Sequence, residues 1–379
     1  MIIPYKITIF SILILSSSLH DSTAKNEINP RPFGKIYAFG DSYTDTGNTG
    51  SATGPSSFSY VSNLPYGQTF FHHPTNRYSD GRLVIDFVAE SFSLPFLPPY
   101  RNTTADKSSG VNFAVAGSTA IEHEFFVKNN LTHDTTPESL GTQLSWFTEF
   151  LEGQGCVDTK TTLQTCKAVF DDALIWVGEI GANDYAYAVG SSVSDQTIQE
   201  LAIKRATDFL EILLNKGAKY VVVQGLPPTG CLTLALSLFR EDYRDNTGCV
   251  GSLNKQSYSH NTIYQAKLQV FREQFPDAII VYADYWNAYR DVINNAHIYG
   301  FNELYKVCCG SSGGQYNYDP SGSCGSPVSS TCANPSEYIN WDGVHLTDGM
   351  YKVVSDLFLR GALTSPPFQY LLSMRNMDE

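Results

Sequence analysis

The chain has 379 residues, 42% apolar and 17% charged, and its 38 acidic against 25 basic side chains give a formal charge of −13. That length is ample for a hydrophobic core, and that composition belongs to folded chains and excludes general disorder. The acidic balance repels phosphate backbones, so no nucleic-acid partner is expected.

Residues 1–24 read as a signal peptide. Lys6 supplies its positive charge, residues 7–15 an apolar run, and Ser22, Thr23 and Ala24 a small-residue cleavage site. The run is too short to span a bilayer, and no later stretch approaches the roughly 20 apolar residues a spanning helix needs. No stable membrane anchor is therefore expected, and residues 25–379 should leave the cell as one domain.

Five short runs follow, at 35–39, 111–116, 173–178, 220–225 and 278–283. Each is continuously apolar and rich in β-branched or aromatic residues, the pattern of parallel strands covered on both faces. Helical patterns lie between and after them. Residues 83–92 form one. Residues 140–152 put Leu140, Leu144, Phe147 and Leu151 on one face, and 197–218 end at Gly217 as a C-cap. Residues 264–275 align Tyr264, Leu268, Phe271 and Phe275, and 347–363 align Met350, Val353, Val354 and Leu357. Strand alternating with helix predicts an α/β sandwich around a parallel sheet.

All eight cysteines follow the signal, and an even number in an exported chain predicts disulfides. Cys156 with Cys166, and Cys231 with Cys249, each close a short loop. Cys308, Cys309, Cys324 and Cys332 are expected to pair among themselves in an order that sequence leaves open. They clip a Gly-, Ser- and Pro-rich loop at about 308–336. Zinc is the alternative for these four, and adjacent cysteines without a C-x-x-C spacing disfavour it. Asn102 and Asn130 stand in N-x-[ST] sequons and are expected to be glycosylated if exposed.

In an open parallel sheet, reactive groups gather beyond the carboxyl ends of the strands. Gly40-Asp41-Ser42 follows the first strand, Gly117-Ser118 the second, and Gly181 to Asp184 the third; Asp342 and His345 precede the last helix. Each supplies a group that ester hydrolysis needs. Ser42 is the candidate nucleophile, His345 its base, and Asp342 the acceptor that fixes the imidazole tautomer. The backbone N–H groups of Ser42 and Gly117 and the amide of Asn183 are candidate oxyanion donors. Asp45 and Asn48 read as turn-builders, Asp184 as a loop tie, and His72 and His73 as structural or solvated. Ser312, in a G-x-S-x-G match, lacks the strand and helix a nucleophile elbow needs. No metal or phosphate motif is present, and no cofactor is expected.

Four stretches together resemble a known family. "FGDSYTDTGN", "VNFAVAGSTA", "GEIGANDY" and "INWDGVHLT" are similar to the first, second, third and fifth blocks of the plant GDSL esterase/lipases of the SGNH hydrolase superfamily. The likeness runs from about residue 35 to 361. It implies a flavodoxin-like three-layer α/β/α sandwich with a five-stranded parallel sheet. It also implies Ser42 as nucleophile and oxyanion donor, Gly117 and Asn183 as further donors, His345 as base and Asp342 as its orienter. Ala182 departs from the glycine that relatives often carry. The expected activity is a secreted serine carboxylesterase or lipase acting on a small-molecule or polysaccharide ester, in the apoplast, cell wall or vacuole. An acyltransferase using the same acyl-enzyme, or a non-catalytic glycan- or protein-binding module, is the alternative. Oligomeric state stays open.

Overall fold

Five parallel strands form at the apolar runs: β1 (Lys35–Phe39), β2 (Gly110–Asn112), β3 (Ala173–Val177), β4 (Tyr220–Gln224) and β5 (Ile279–Ala283). The structure is a computed structural model that describes residues 31–50, 59–131, 136–157, 163–311 and 313–377. The expected signal peptide and Ser312 lie outside the described residues.

The parallel strands stand in the order 2-1-3-4-5 of a flavodoxin-like sheet. The chain reverses direction across the sheet between β1 and β3, so a crevice opens beyond their carboxyl ends. Alternate residues of each strand enter opposite cores. Ile36, Ala38, Trp176, Val222 and Val281 face one side, packed with residues of helices Val84–Ser91, Tyr285–Asn294 and Asp348–Leu359. Tyr37, Phe39, Ile175, Val221 and Ile280 face the other, against helices Leu140–Gly153, Asp195–Asn215 and Gly251–Gln274. These two cores make the three layers.

Three features depart from the sequence reading. The second strand stops at Asn112 rather than 116. There the Asn112 amide donates to Thr44 O at 2.6 Å, and the Asn48 amide donates to Asn112 O and Ala114 O at 2.9 and 2.8 Å. The backbone is thereby drawn from the ladder toward the loop after β1. Its start is set by Gly110, at φ +116°, where a Cβ would lie 1.9 Å from Ile36 O, so only glycine fits.

The second departure is helix Gly251–Gln274, which begins well before residue 264. Its early buried face is Asn254, Ser257, His260 and Asn261, polar residues that hide the periodicity. They hydrogen-bond inward, Asn261 to Leu226 N and O, Asn254 to Gly230 N. Third, the last long helix ends at Leu359, and β10 (Thr364–Ser365) pairs antiparallel with β5 as a sixth strand. Two residues carry no periodicity to read.

The Gly- and Ser-rich excursion is framed by short ladders. β6 (Glu303–Val307) pairs with β9 (Tyr338–Asn340), and β7 (Cys309–Gly310) pairs with β8 (Ser330–Thr331). All eight cysteines are oxidised: Cys156–Cys166, Cys231–Cys249, Cys308–Cys332 and Cys309–Cys324. Closing loops of this size stabilises a fold by about 3 kcal/mol each in the chain-entropy account. Cys308, Cys309 and Cys324 pack with Val61, Tyr66, Tyr78, Ala116 and Trp341, which sets the excursion against the loop at 59–80. Among the described residues, no helix is long and apolar enough to cross a membrane.

Candidate active site

Beyond β1 the chain turns at Gly40, at φ +139°, where a Cβ would crowd Glu179 O at 3.1 Å. Gln143 clamps this turn, accepting from Gly40 N at 3.0 Å and donating to Gly40 O at 2.8 Å. Thr44 N and Asp45 N both donate back to Asp41 O, which starts a tight turn and holds Ser42 at its tip. Asp45 then accepts from Gly47 N, Asn48 N, Thr49 N and Ala116 N, so it is the turn-builder its position implied. That last bond ties the Ser42 loop to the residue before Gly117.

His345 arrives on a turn closed by Trp341 N donating to His345 O at 2.8 Å. Asp342 builds the turn, its Oδ1 accepting from Val344 N at 2.8 Å and His345 N at 2.7 Å. The same carboxylate faces the imidazole, with Nδ1 2.9 Å from Oδ2. A carboxylate only accepts, so Nδ1 carries the proton and Nε2 is left as an acceptor. Nε2 lies 2.8 Å from Ser42 Oγ, across 303 positions of sequence. Burial drives the Asp342 carboxyl up, but the His345 charge and the hydrogen bonds from His345 and Val344 outweigh it and hold it below its ordinary value.

Two tyrosines complete this half of the site, and the sequence reading missed both. Tyr66 donates its hydroxyl to Asp342 Oδ2 at 2.8 Å. Burial first, and the Asp342 charge second, push its phenol well above the ordinary value, so it stays a donor. The Tyr78 ring lies 4.7 Å from the imidazole and covers it.

The oxyanion side is less symmetric than expected. The backbone N–H groups of Ser42 and Gly117 find no acceptor among the described residues. Gly117 sits at φ +81° and its carbonyl accepts from the Tyr187 hydroxyl at 2.8 Å. Asn183 lies beside them, but its amide nitrogen already donates to Asp41 Oδ2 at 3.0 Å and Ser118 O at 2.9 Å. Both amide hydrogens are therefore in use. Asp184, next in sequence, accepts from Ala120 N and Ile121 N and ties the second and third loops together.

Five separated stretches thus converge around one serine whose hydroxyl meets a carboxylate-oriented imidazole. The GDSL-like Lipase/Acylhydrolase family matches residues 36–358, which take in all of them. The chain belongs to this family. A GDSL esterase/lipase of Arabidopsis thaliana is 55% identical over 376 residues, covering 97% of each chain. Two further Arabidopsis thaliana GDSL esterase/lipases are 37% and 38% identical, covering 95% and 96% of this chain and 93% and 95% of their own. The chemistry of such a GDSL chain is that of a carboxylic ester hydrolase, and its substrate is an ester.

The aspartate of the Gly-Asp-Ser motif has a partner that sequence did not reveal. Asp41 and Glu179 are both buried and act on each other's charge. Burial raises both carboxyls, and the Asp41 charge raises Glu179 further. Asp41 accepts from Tyr43 N and from the Asn183 amide, each at 3.0 Å. The histidines at 72 and 73 are exposed, and their rings bond to the carbonyls of Gln68 and Phe71. Among the described residues, no cluster of His, Cys, Asp and Glu is arranged to hold a metal ion.

Two predictions come from this geometry. Tyr66→Phe removes one hydrogen bond to a charged acceptor, a kind worth about 1.5–3 kcal/mol. The expected result is a kcat roughly tenfold lower for a nitrophenyl ester, with KM little changed and an unaltered circular dichroism spectrum. A variant with undiminished kcat would show that the hydroxyl orients nothing.

The second concerns pH. Burial pushes Asp184 up to about 7 and Asp80 up to about 6, whereas an unfolded aspartate ionises near about 4. Between about pH 4 and 7 the folded chain keeps protons that the unfolded chain has lost, so stability falls as pH rises through that window. Asp342 runs the other way, and its support is lost only as pH drops below about 4. Thermal unfolding should therefore give a higher Tm at about pH 5 than at about pH 8. Asp184→Asn should flatten the slope. A Tm that climbs across that range contradicts the assignment.

Proposed function

We propose that Ser42, His345 and Asp342 are the catalytic triad of this ester hydrolase. The observation that carries the reading is the 2.8 Å contact between Ser42 Oγ and an imidazole Nε2 whose other nitrogen faces Asp342. Ser42 Oγ attacks the ester carbonyl and passes its proton to Nε2, while Asp342 stabilises the imidazolium. The tetrahedral oxygen faces the free N–H groups of Ser42 and Gly117. Asn183 joins them by turning one amide hydrogen from Asp41 or Ser118 toward the new charge. His345 then protonates the departing alcohol and leaves an acyl-enzyme. Water, deprotonated by the same imidazole, releases the acid.

Ser42→Ala should reduce turnover of a short-chain nitrophenyl ester by about 10⁴-fold or more, and should abolish labelling by a fluorophosphonate probe. Asn183→Ala should cost about 10²–10³ in kcat if its amide joins the oxyanion. Labelling that persists in the serine variant would remove the nucleophile from the scheme.

We further propose that residues 25–379 act outside the cell as one domain, after removal of residues 1–24. Four disulfides and the exposed sequon asparagines Asn102 and Asn130 support this. The Asn102 carboxamide already accepts from Thr104 N and Oγ1, at 3.2 and 3.0 Å, within its own sequon. Expressed with its leader in a eukaryotic cell, the protein should appear in the medium carrying N-glycans. Peptide-N-glycosidase should then shorten its electrophoretic mass, and Asn102→Gln should remove one step of that shift. Retention inside the cell without glycans would contradict the reading.

A further inference from the structure

A cavity of about 750 Å³ lies between helix Thr233–Leu238 and the loop at 314–320. Both walls rest on Gly343, the residue after Asp342. Leu234 N, on the helix, donates to Gly343 O at 2.7 Å. The Tyr318 ring, on the loop, lies so close that a Cβ at Gly343 would meet it at 2.2 Å. Tyr318 therefore stands between the cavity and the turn that carries Asp342 and His345, and the cavity has the size of a small-molecule site.

Its lining has a charge that the rest of the chain would not suggest. In a protein of net charge −13, Arg240 and Arg244 both face this space. Neither lies within ion-pair distance of a carboxylate among the described residues. Asp319 also lines the cavity, but its Oδ1 accepts from Ser321 N and Oγ at 2.8 and 2.7 Å. Part of the arginines' role is local. Arg240 Nε donates to Ser237 O at 3.0 Å and Arg244 Nη2 to Leu236 O at 3.2 Å, which satisfies carbonyls at the helix end. A guanidinium has five N–H donors, and this use accounts for one on each side chain. Arg244 Nη1 is sealed beneath other atoms and has no partner among the described residues, so the donors left to face the cavity are Nε and the second hydrogen of Nη2.

We propose that this cavity is a subsite for a carboxylate carried by the ester substrate, with Arg244 its principal contact and Arg240 at the rim. A carboxylate matches the guanidinium fork and cancels the local charge. Tyr316 and Tyr318 supply flat walls for the carbon skeleton between that carboxylate and the ester. The anionic group belongs either to the acyl part, as in a half-ester of a dicarboxylic acid, or to the alcohol part, as in an acylated hydroxy acid. The proposal rests on the Ser42 reading above and adds a substrate class to it.

The test compares charged esters with neutral esters that lack the carboxylate-bearing group. In the acyl arm, para-nitrophenyl hemisuccinate is set against para-nitrophenyl acetate. In the alcohol arm, para-acetoxybenzoate is set against phenyl acetate. Arg244→Gln should lower kcat/KM for the charged ester about tenfold or more in one arm, mostly through KM, and leave both neutral esters within about twofold. Arg240→Gln, at an exposed position, should do the same to a smaller degree. Added salt should narrow the wild-type preference. Equal losses on charged and neutral esters, or no charged-ester loss in either arm, overturn the proposal. Wild-type protein titrated with succinate in a calorimeter gives a readout free of turnover and of variant folding. Binding that exceeds that of succinamide supports the subsite, and its absence overturns it. Failure of neutral-ester turnover and of fluorophosphonate labelling in the wild type would instead remove the Ser42 reading.

Discussion

One hydrogen bond, from Ser42 to His345 across 303 positions of chain, is the constraint around which the described structure is arranged. Its two ends belong to unlike supports. Ser42 stands at the switch point of a parallel sheet, on a turn held by Gln143 and Asp45. His345 stands on a loop that belongs to no strand of that sheet. The gap is closed by Tyr43, whose hydroxyl donates to Val344 O at 2.7 Å, and by Tyr66, which reaches Asp342 from the loop at 59–80. A side chain one residue from Ser42 thus holds the His345 turn. The distance between Ser42 Oγ and His345 Nε2 is set by packing on both sides rather than by either loop alone.

Buried carboxylates do much of the remaining tying. Asp45 joins the first and second loops, Asp184 the second and third, and Asp80 accepts from Asp348 N at 2.7 Å to reach helix Asp348–Leu359. Each accepts backbone N–H groups that would otherwise be buried without partners, which offsets part of the cost of burying the charge. Acidic residues at these positions are therefore structural, and the chain's net charge overstates how negative its surface is. Asp41 carries this furthest. It binds the turn at Tyr43 N and the amide of Asn183, so the Ser42 turn and Asn183 share a single anchor.

What sequence revealed follows from the same physics. Parallel strands covered on both faces read as apolar runs, so β1, β3, β4 and β5 were legible almost to the residue. That Ser42, Gly117, Asn183, Asp342 and His345 converge was legible because each follows its own strand or precedes helix Asp348–Leu359. Direction was not legible: nothing in the letters says that Asn183 points both hydrogens at protein acceptors. Tyr66 and Tyr78 were hidden among 23 tyrosines, since a hydroxyl placed by a long loop has no periodic signal. Helix Gly251–Gln274 was half legible because its early core face is polar, and the partners that make such a face tolerable are distant in sequence. Cys308 and Cys309 are adjacent, so spacing could not decide between two pairings that close loops of similar length.

Those two bridges have a consequence for chemistry. Cys308–Cys332 and Cys309–Cys324 frame the excursion that presents Tyr318 beside Gly343, and Cys308, Cys309 and Cys324 share a buried cluster with Tyr66 and Tyr78. Among the described residues, no strand of the sheet draws its ladder bonds from this excursion, whereas Tyr66 and Tyr78 share a buried cluster with its cysteines. The other two bridges sit in the cores of the sandwich itself, Cys231–Cys249 on one face and Cys156–Cys166 on the other. Oxidation therefore bears on the fold through one pair of bridges and on the assembly of the site through the other.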